Sequence, residues 1–505
     1  MLMAEPLFPY KNFFELSVSR KCKMRYYAAP ETSKPDSLPN QASTFTNRKD
    51  VWMDSIIVSK FGGSSVANAQ QIEKVRQIVA SDKRRRFVVV SAPGKDASNT
   101  EKVTDHLFNI ATEGGHFKTQ GMNISAKESY DRVVGKFKCL INYLGIKGDD
   151  IIDDLESDLT SNISNKRRVD FFASRGEHYN AKVITRYFQA KGMNAQLMLP
   201  EDIGFLVSDR FGNARVLPGT HANLCLSLNN GAINIIPGYY GITLKGDIAV
   251  MSRGGSDLTG GEVAYAMNAL CYENWTDTDG VYQVNPQIIP EASVIPELTY
   301  KEIRLLSSRG FNVFHFDAMI SCKNRSIPIN IRNTNNPSAP GTRIVTTRTA
   351  TETVVGIGRM DNIAYVYIEK DMIGETIGFT KELLDIFRDY SINTHHYPSD
   401  LDDISVIVDQ GDLKGKADDL TRTIQENLNP NLLEINYDLC LISPVGIGMK
   451  DTPGVLANAA AALFKEDINI EIVDQGPSQL SFHFGIYQNL ADIGLNSLYR
   501  ALLKQ

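Results

Sequence analysis

Long apolar runs are missing from this 505-residue chain: no stretch approaches the ~18 or more residues that a membrane-spanning helix needs. Cysteine is sparse and unpaired in sequence. Cys22, Cys139, Cys225, Cys271, Cys322 and Cys440 form no C-x-x-C pair, and none stands at zinc-ligand spacing from a histidine. That scatter predicts reduced, mostly buried thiols in a reducing compartment. An excess of positive charge is lacking too. With 53 Lys+Arg against 59 Asp+Glu, the net charge of −6 excludes a nucleic-acid binder that relies on bulk basicity. Neither a Walker A sequence nor an obvious Ser–His–Asp or Cys–His set is present.

What is there is the composition of an ordinary soluble globular chain, 42 % hydrophobic and 22 % charged, which excludes collagen-like, coiled-coil and wholly disordered classes. At ~150 residues per domain the length suggests about three domains. Residues 1–54 read differently from the rest. Their Pro/Ser/Thr/Asn stretch, PETSKPDSLPNQASTFTNRKD, has no apolar period and is expected to be loop or disorder. No apolar core there ends at a small-residue cleavage site, so a secretory signal is not expected. Glu5, Glu15, Glu31 and Asp36 interrupt any transit peptide. A cytoplasmic location is expected, with a plastid as the alternative if residues 1–54 are a transit peptide, and a start near Met53 as a third option.

From Ser55 the pattern becomes regular. SIIVSKF is a β-rich run, VANAQQIEKVRQIVAS carries Val66, Ala69, Ile72, Val75 and Val79 at helical spacing, and FVVVS (87–91) is a buried-type strand. Strand, helix, strand over this distance predicts a βαβ unit and a parallel sheet covered by helices. Residues 100–195 read as largely helical; INIIPG, ITLKGDIAVMS and YENWT return to strands. The turn-rich NTNNPSAPGTRI (333–344) has the composition of a domain junction. Beyond ~350, two weakly similar βαββα units of ~70 residues follow, with Gly378 and Gly454 near their helix starts.

Four segments carry chemistry. In Lys60-Phe61-Gly62-Gly63-Ser64-Ser65 a strand delivers two glycines into a helix start. Glycines let backbone N–H groups approach phosphate oxygens, and lysine adds a full charge. An ordinary strand-to-helix turn with a solvated lysine explains it as well. In Ser252-Arg253-Gly254-Gly255-Ser256-Asp257 an arginine precedes a second glycine-flanked helix start. Its fork suits a carboxylate or phosphate, and Asp257 suits a partner that orients a cation such as Lys60, or a metal or water network. A capping Ser/Asp after a flexible turn is the plainer account. Trp275-Thr276-Asp277-Thr278-Asp279-Gly280-Val281-Tyr282 ends a strand in an acidic, aromatic loop of the kind that brackets ribose and adenine, or is a solvated Asp-Gly turn. Ser174-Arg175-Gly176-Glu177 sets a glycine inside a helical stretch, where it costs about 1 kcal/mol relative to alanine, and so suggests close packing against a ligand or another backbone, or else a salt-bridged surface Glu at a helix kink.

Taken in order, KFGGSSV, VVVSAPG, SRGE, PGYYG, SRGGSD, TDTDGVY and the tandem C-terminal units resemble the aspartate kinase (aspartokinase) family over ~450 residues, from about Ser55 to the end. VSAPGK, NTNNPSAPGTRIV and PSDLDDISVIV look most like its single-function, lysine-responsive branch. The resemblance implies an α/β amino-acid-kinase fold, an open, mostly parallel sheet sandwiched by helices, followed by two ACT (βαββαβ-type) domains. The expected division is an extension at 1–54, a catalytic domain at 55–345, and ACT domains at 346–435 and 436–505 that are free to interdigitate.

It also implies transfer of the γ-phosphate of ATP, with Mg²⁺, to the β-carboxylate of L-aspartate, the entry step to lysine, threonine and methionine. By that likeness Lys60 lies at the γ-phosphate and Asp257 orients it. Arg253 holds the substrate α-carboxylate with Ser256, Glu177 meets its amino group, and Thr104 and Tyr239 line the same pocket. Gly62, Gly63, Ser64, Thr276, Asp277 and Tyr282 fall on nucleotide positions. An effector, lysine or also threonine, is expected around Met372, Gly378, Phe379, His395, His396 and Ser399, and association as a homodimer or higher oligomer through the ACT units. No nucleic-acid or membrane partner is expected.

The sequence departs from the family at Gln287, where many members carry arginine, and at Asn312-Val313-Phe314-His315-Phe316, which stands for K-V-L-H-P. Kinases of the same fold acting on glutamate, acetylglutamate, carbamate or UMP, and a catalytically idle amino-acid sensor, are the competing readings.

Overall fold

The computed structural model describes residues 56–96, 100–228, 231–252, 254–310 and 316–504. The extension at 1–54, Arg253 and Asn312 to His315 therefore lie outside the described residues. None of the described helices is long and apolar enough to cross a membrane.

The first sheet has eight strands: β1 (Ile57–Phe61), β2 (Arg85–Val90), β3 (Ala195–Leu197), β4 (Ile233–Pro237), β7 (Cys271–Thr276), β8 (Glu297–Thr299), β9 (Ile329–Asn333) and β10 (Thr342–Val345). Their spatial order is β3-β4-β2-β1-β7-β9-β10-β8, and every pairing is parallel except β9 with β10. A short hairpin, β5 (Tyr240–Ile242) and β6 (Ile248–Val250), stands beside it, so ITLKGDIAVMS is a strand, a turn and a strand rather than one run.

β1 is buried along its whole length, as a strand with helices on both faces must be. One apolar core collects the helix Ala69–Ala80 and the helical region 103–190 on one face. A second core gathers Gly255–Ala266, Tyr300–Ser307 and Phe316–Asn324 on the other. The Pro/Asn-rich stretch at 333–344 is not a junction between domains. It is the turn that carries β9 back into antiparallel β10, and Thr342 is fully buried in that sheet.

The remaining strands are β11 (Gly356–Glu369), β12 (Thr394–His396), β13 (Asp403–Asp409), β14 (Leu432–Val445), β15 (Ile472–Asp474) and β16 (His483–Tyr487). They form one antiparallel sheet in the order β12-β13-β11-β14-β16-β15. The two sequence-similar units thus share their long strands. Register shifts in β11 between Met360 and Tyr365 mark where the sheet changes course. The helices Phe379–Asp389 and Ala417–Leu428 cover one half; Val455–Lys465 and Ala491–Leu502 cover the other. Ile363, Ile407, Leu439, Leu441 and Ile472 pack together on the faces those helices leave free.

Candidate active site

Because β1 lies between β2 on one side and β7 on the other, the crevice at the carboxyl ends of these strands is the natural ligand position of an open parallel sheet. Lys60 is the penultimate residue of β1 and is only 8 % exposed. Its Nζ sits 2.5 Å from Oδ1 of Asp257, in the first turn of the helix Gly255–Ala266. The register of β1 on β7 sets Asn274 beside Lys60, and Asn274 Nδ2 donates to the same Asp257 oxygen at 3.1 Å. Asp257 is held from two sides, so the lysine head has one position.

Three loops converge on the glycine turn. The N–H of Gly62 donates to the carbonyl of Trp275 at 3.0 Å, which ties it to the end of β7, immediately before Thr276 and Asp277. Ser65 donates to the same carbonyl at 3.3 Å and receives the hydroxyl of Thr334 at 2.7 Å. From the β2 side, the N–H of Gly94 donates to the carbonyl of Gly63 at 2.9 Å. A Cβ on Gly94 would fall 2.5 Å from the carbonyl carbon of Gly63 and 2.8 Å from the nitrogen of Ser64, so only glycine lets these backbones meet. A Cβ on Gly62 would lie 3.6 Å from Lys60 Nζ, in ordinary contact with the lysine head.

Opposite stands Glu177, inside the helix Asn165–Ala190 and 5 % exposed. Gly176 brings that helix close, since a Cβ there would meet the side chains of Ala92 at 2.7 Å and Leu107 at 3.3 Å. Thr104 is on the neighbouring helix Val103–Ala111. Oε2 of Glu177 is buried and has no hydrogen-bond partner in the protein. Burial pushes its carboxyl up to about 8, against the pull of the Ala92 N–H and of the Lys60 charge. Tyr239 adopts φ 75° after Gly238 and is anchored by the N–H it donates to Thr259 Oγ1 at 3.2 Å. Gly238 packs against Ser256, since a Cβ on Gly238 would fall 2.7 Å from Cβ of Ser256, so this turn and the second glycine-flanked helix start form one wall. Gly254, at φ 84°, turns the chain into that helix.

Lys60, Asp257, Gly62, Gly63, Ser64 and Thr276 are thus drawn into one crevice, with Glu177, Ser256 and Tyr239 around it. Asp277 follows Thr276 at the exposed start of its loop, where Thr276 donates to it at 3.1 Å. Tyr282 turns the other way and packs against the core beneath the C-terminal helices. Of the effector positions, Met372 is exposed at φ 64°; its N–H donates to Asp402 at 2.7 Å, and Gly374 donates to the carbonyl of Leu401 at 2.8 Å, close to Ser399. Gly378, at φ 92°, leads into buried Phe379. His395 and His396 sit on β12, but the His396 ring faces Asp474 and His483 within the folded sheet. Asn274 and Thr334 were given no role from the sequence, and Ser65 and Gly94 stood there only inside the KFGGSSV and VVVSAPG segments.

Residues 55–333 match the amino acid kinase family model, and residues 442–502 match an ACT domain model. Over 450 residues the chain is 38 % identical to aspartokinase 3 of Bacillus subtilis, covering 88 % of this chain and 98 % of that protein. The chain belongs to the aspartokinase family. Among solved structures it resembles the aspartate kinase of Clostridium acetobutylicum, with a TM-score of 0.78 and 31 % identity over 88 % of this chain and all of that one. The fold is also that of Escherichia coli aspartokinase III in complex with aspartate and ADP, with a TM-score of 0.68 and 22 % identity over 88 % and 99 % of the two chains. As an aspartokinase-family member the protein is an enzyme of the phosphotransferase class with an ACT-containing C-terminal region.

Proposed function

We propose that this protein transfers the γ-phosphate of MgATP to the β-carboxylate of L-aspartate, giving 4-phospho-L-aspartate and ADP at the head of lysine, threonine and methionine synthesis in the cytoplasm. One observation carries the reading: a buried carboxylate with an unpartnered oxygen, Glu177, faces the crevice that holds the Lys60–Asp257 pair. An unpaired buried acceptor is costly unless something fills it, and the ammonium group of an amino acid is a matching donor.

The acceptor carboxylate, with a reference pKa near ~3.9, is ionised at neutral pH and needs no general base. The obstacle is repulsion between an anion and a polyanion, and phosphoryl transfer is governed by positioning and charge stabilisation. Lys60, kept in one position by Asp257 and Asn274, supplies positive charge between the two reactants. The N–H groups of the Gly62–Ser64 turn receive phosphate oxygens, with Thr276 and Asp277 taken as the nucleoside side and Tyr282, packed on the C-terminal core, left out of it; Mg²⁺ arrives with the nucleotide. Arg253 with Ser256 takes the α-carboxylate, Glu177 the amino group, and Thr104 and Tyr239 close the pocket, so that the β-carboxylate points at the γ-phosphate.

The catalytic unit is taken as residues 55–345, with ACT units at 346–435 and 436–505 that share one sheet. These units bind an end-product amino acid, lysine or also threonine, near Met372, Gly378, Phe379, His395, His396 and Ser399, and associate into a homodimer or higher oligomer. The E. coli enzyme solved with lysine and aspartate supports that choice of effector. A catalytically idle sensor is disfavoured by the intact Lys60, Asp257 and Glu177. A coupled ADP-release assay with ATP and aspartate, run beside glutamate, acetylglutamate, carbamate and UMP and with added lysine or threonine, tests the reading. ADP release that does not depend on aspartate overturns it.

A further inference from the structure

The helix Tyr300–Ser307 belongs to the first sheet's cover, yet both of its ends are tied to the C-terminal sheet. At its start, Glu302 is fully buried and receives Arg348 through two nitrogens, at 2.8 and 3.1 Å. The same carboxylate also accepts the backbone N–H of Ile447, just past β14, at 2.9 Å. At its end stands Arg309, 8 % exposed. Its Nη2 lies 2.6 Å from Nε2 of His396 and 3.3 Å from Nε2 of His483, whose rings are 4.5 Å apart.

A guanidinium has only donors, so both Nε2 atoms must accept and both protons must sit on Nδ1. The far sides of the rings agree: His396 Nδ1 faces the Asp474 carboxylate, and His483 Nδ1 is 2.7 Å from Ser443 Oγ. The charged or titratable groups facing this cluster are Arg309, Asp474, and His395 on β12. Burial first, and the Arg309 charge second, hold both imidazoles below their ordinary range. His396, Asp474 and His483 have the spacing of metal ligands, but the point on which both Nε2 atoms converge is filled by the guanidinium.

Arg309 Nε is buried without a partner, so this arginine is not placed there as half of a well-satisfied ion pair. Its backbone is pressed onto β11: a Cβ on Gly310 would fall 2.2 Å from the carbonyl of Arg359, and one on Gly358 would fall 2.5 Å from Cβ of Arg309.

We propose that Arg309 is a positioning residue through which the C-terminal sheet governs the helix Tyr300–Ser307, by lodging its guanidinium between the neutral rings of His396 and His483. β12 carries His396 and runs on toward Ser399 and the turn proposed for the effector, so a ligand that shifts β12 shifts the arginine. The effector arm of this inference rests on the regulatory reading above; the contact itself does not.

The test uses the full-length enzyme with histidine labelled for NMR, the two rings assigned through H396N and H483N. In Arg309→Met both rings are expected to titrate at least one pH unit higher than in the wild type. Turnover without lysine stays within threefold, while the lysine concentration for half inhibition rises at least tenfold. Unchanged histidine titrations, or a wild-type lysine response in this variant, overturn the proposal. Should R309M not yield folded protein, Arg309→Gln, which removes the charge and keeps an amide donor, carries the same two measurements. Should the wild type ignore lysine altogether, the effector reading fails by itself. Arg309 is then judged by melting of R309M, H396N and the double variant: a double loss no greater than the larger single loss supports the contact, and fully additive losses overturn it.

Discussion

Replacing Glu177 with glutamine keeps the shape of the site and removes its charge. The carboxyl stands near 8 in the empty enzyme against an ordinary value of 4.5, and desolvation is the leading cause. At about 1.4 kcal/mol per pH unit, that difference corresponds to an ionisation cost of roughly 5 kcal/mol at most. At pH 7 the group is therefore mostly protonated until a cation enters. An ammonium group binds the ionised form, so aspartate binding releases a proton, and kcat/KM for aspartate is expected to rise about tenfold per pH unit from 6 toward 8 before levelling off. In E177Q that slope disappears and the aspartate KM rises by about ten- to a hundredfold, the loss of one charge-assisted hydrogen bond.

Stability moves in the same window. A carboxyl raised in the folded state contributes stability that is complete below about 4.5 and is lost as pH climbs through about 8. The unliganded wild type is thus expected to melt progressively lower across that range, and E177Q to melt more evenly. Aspartate titrations by the coupled ADP assay, with thermal unfolding at matched pH, supply both curves. A variant with wild-type KM and an unchanged pH slope would refute the assignment of Glu177 to the substrate amino group.

Lys60→Ala is expected to lower kcat by at least a hundredfold while changing the aspartate KM far less, since its charge acts on the transferring group; near-normal turnover removes it from the mechanism. Arg253→Ala should lower kcat/KM for aspartate, and an unchanged value sinks the carboxylate clamp. Gly94→Ala forces a methyl group onto the carbonyl of Gly63, which is expected to cost about 1–3 kcal/mol in unfolding experiments and to raise the KM for ATP; a variant with native stability and ATP use would mean the two loops do not pack as described.

The lysine, the glycines and the second helix start were legible in the sequence because each is local: a cation, a backbone without side chains and a helix N-terminus stand within a few residues of one another. Asn274 was not, because its role depends on the register of β1 against β7, strands some two hundred residues apart in the chain. Gly94 was passed over for a similar reason, its meaning arising only when the β2 loop meets the β1 loop. His396 was placed near the effector by the family likeness; that its ring also meets residues far along the chain follows from the fold of the antiparallel sheet and was not legible in the sequence. Tyr282, in the same acidic loop as Asp277, faces the C-terminal core because the chain after Gly280 leaves the crevice to join that core.

Val284, Ile289 and Ala292, which follow the acidic loop, are buried in the same cluster as Leu495, Leu498 and Tyr499 of the last helix. Removing that helix would therefore strip the support from beneath the loop proposed for the nucleotide. Under the regulation proposed above, relief from control is expected from point changes that leave this shared interior whole.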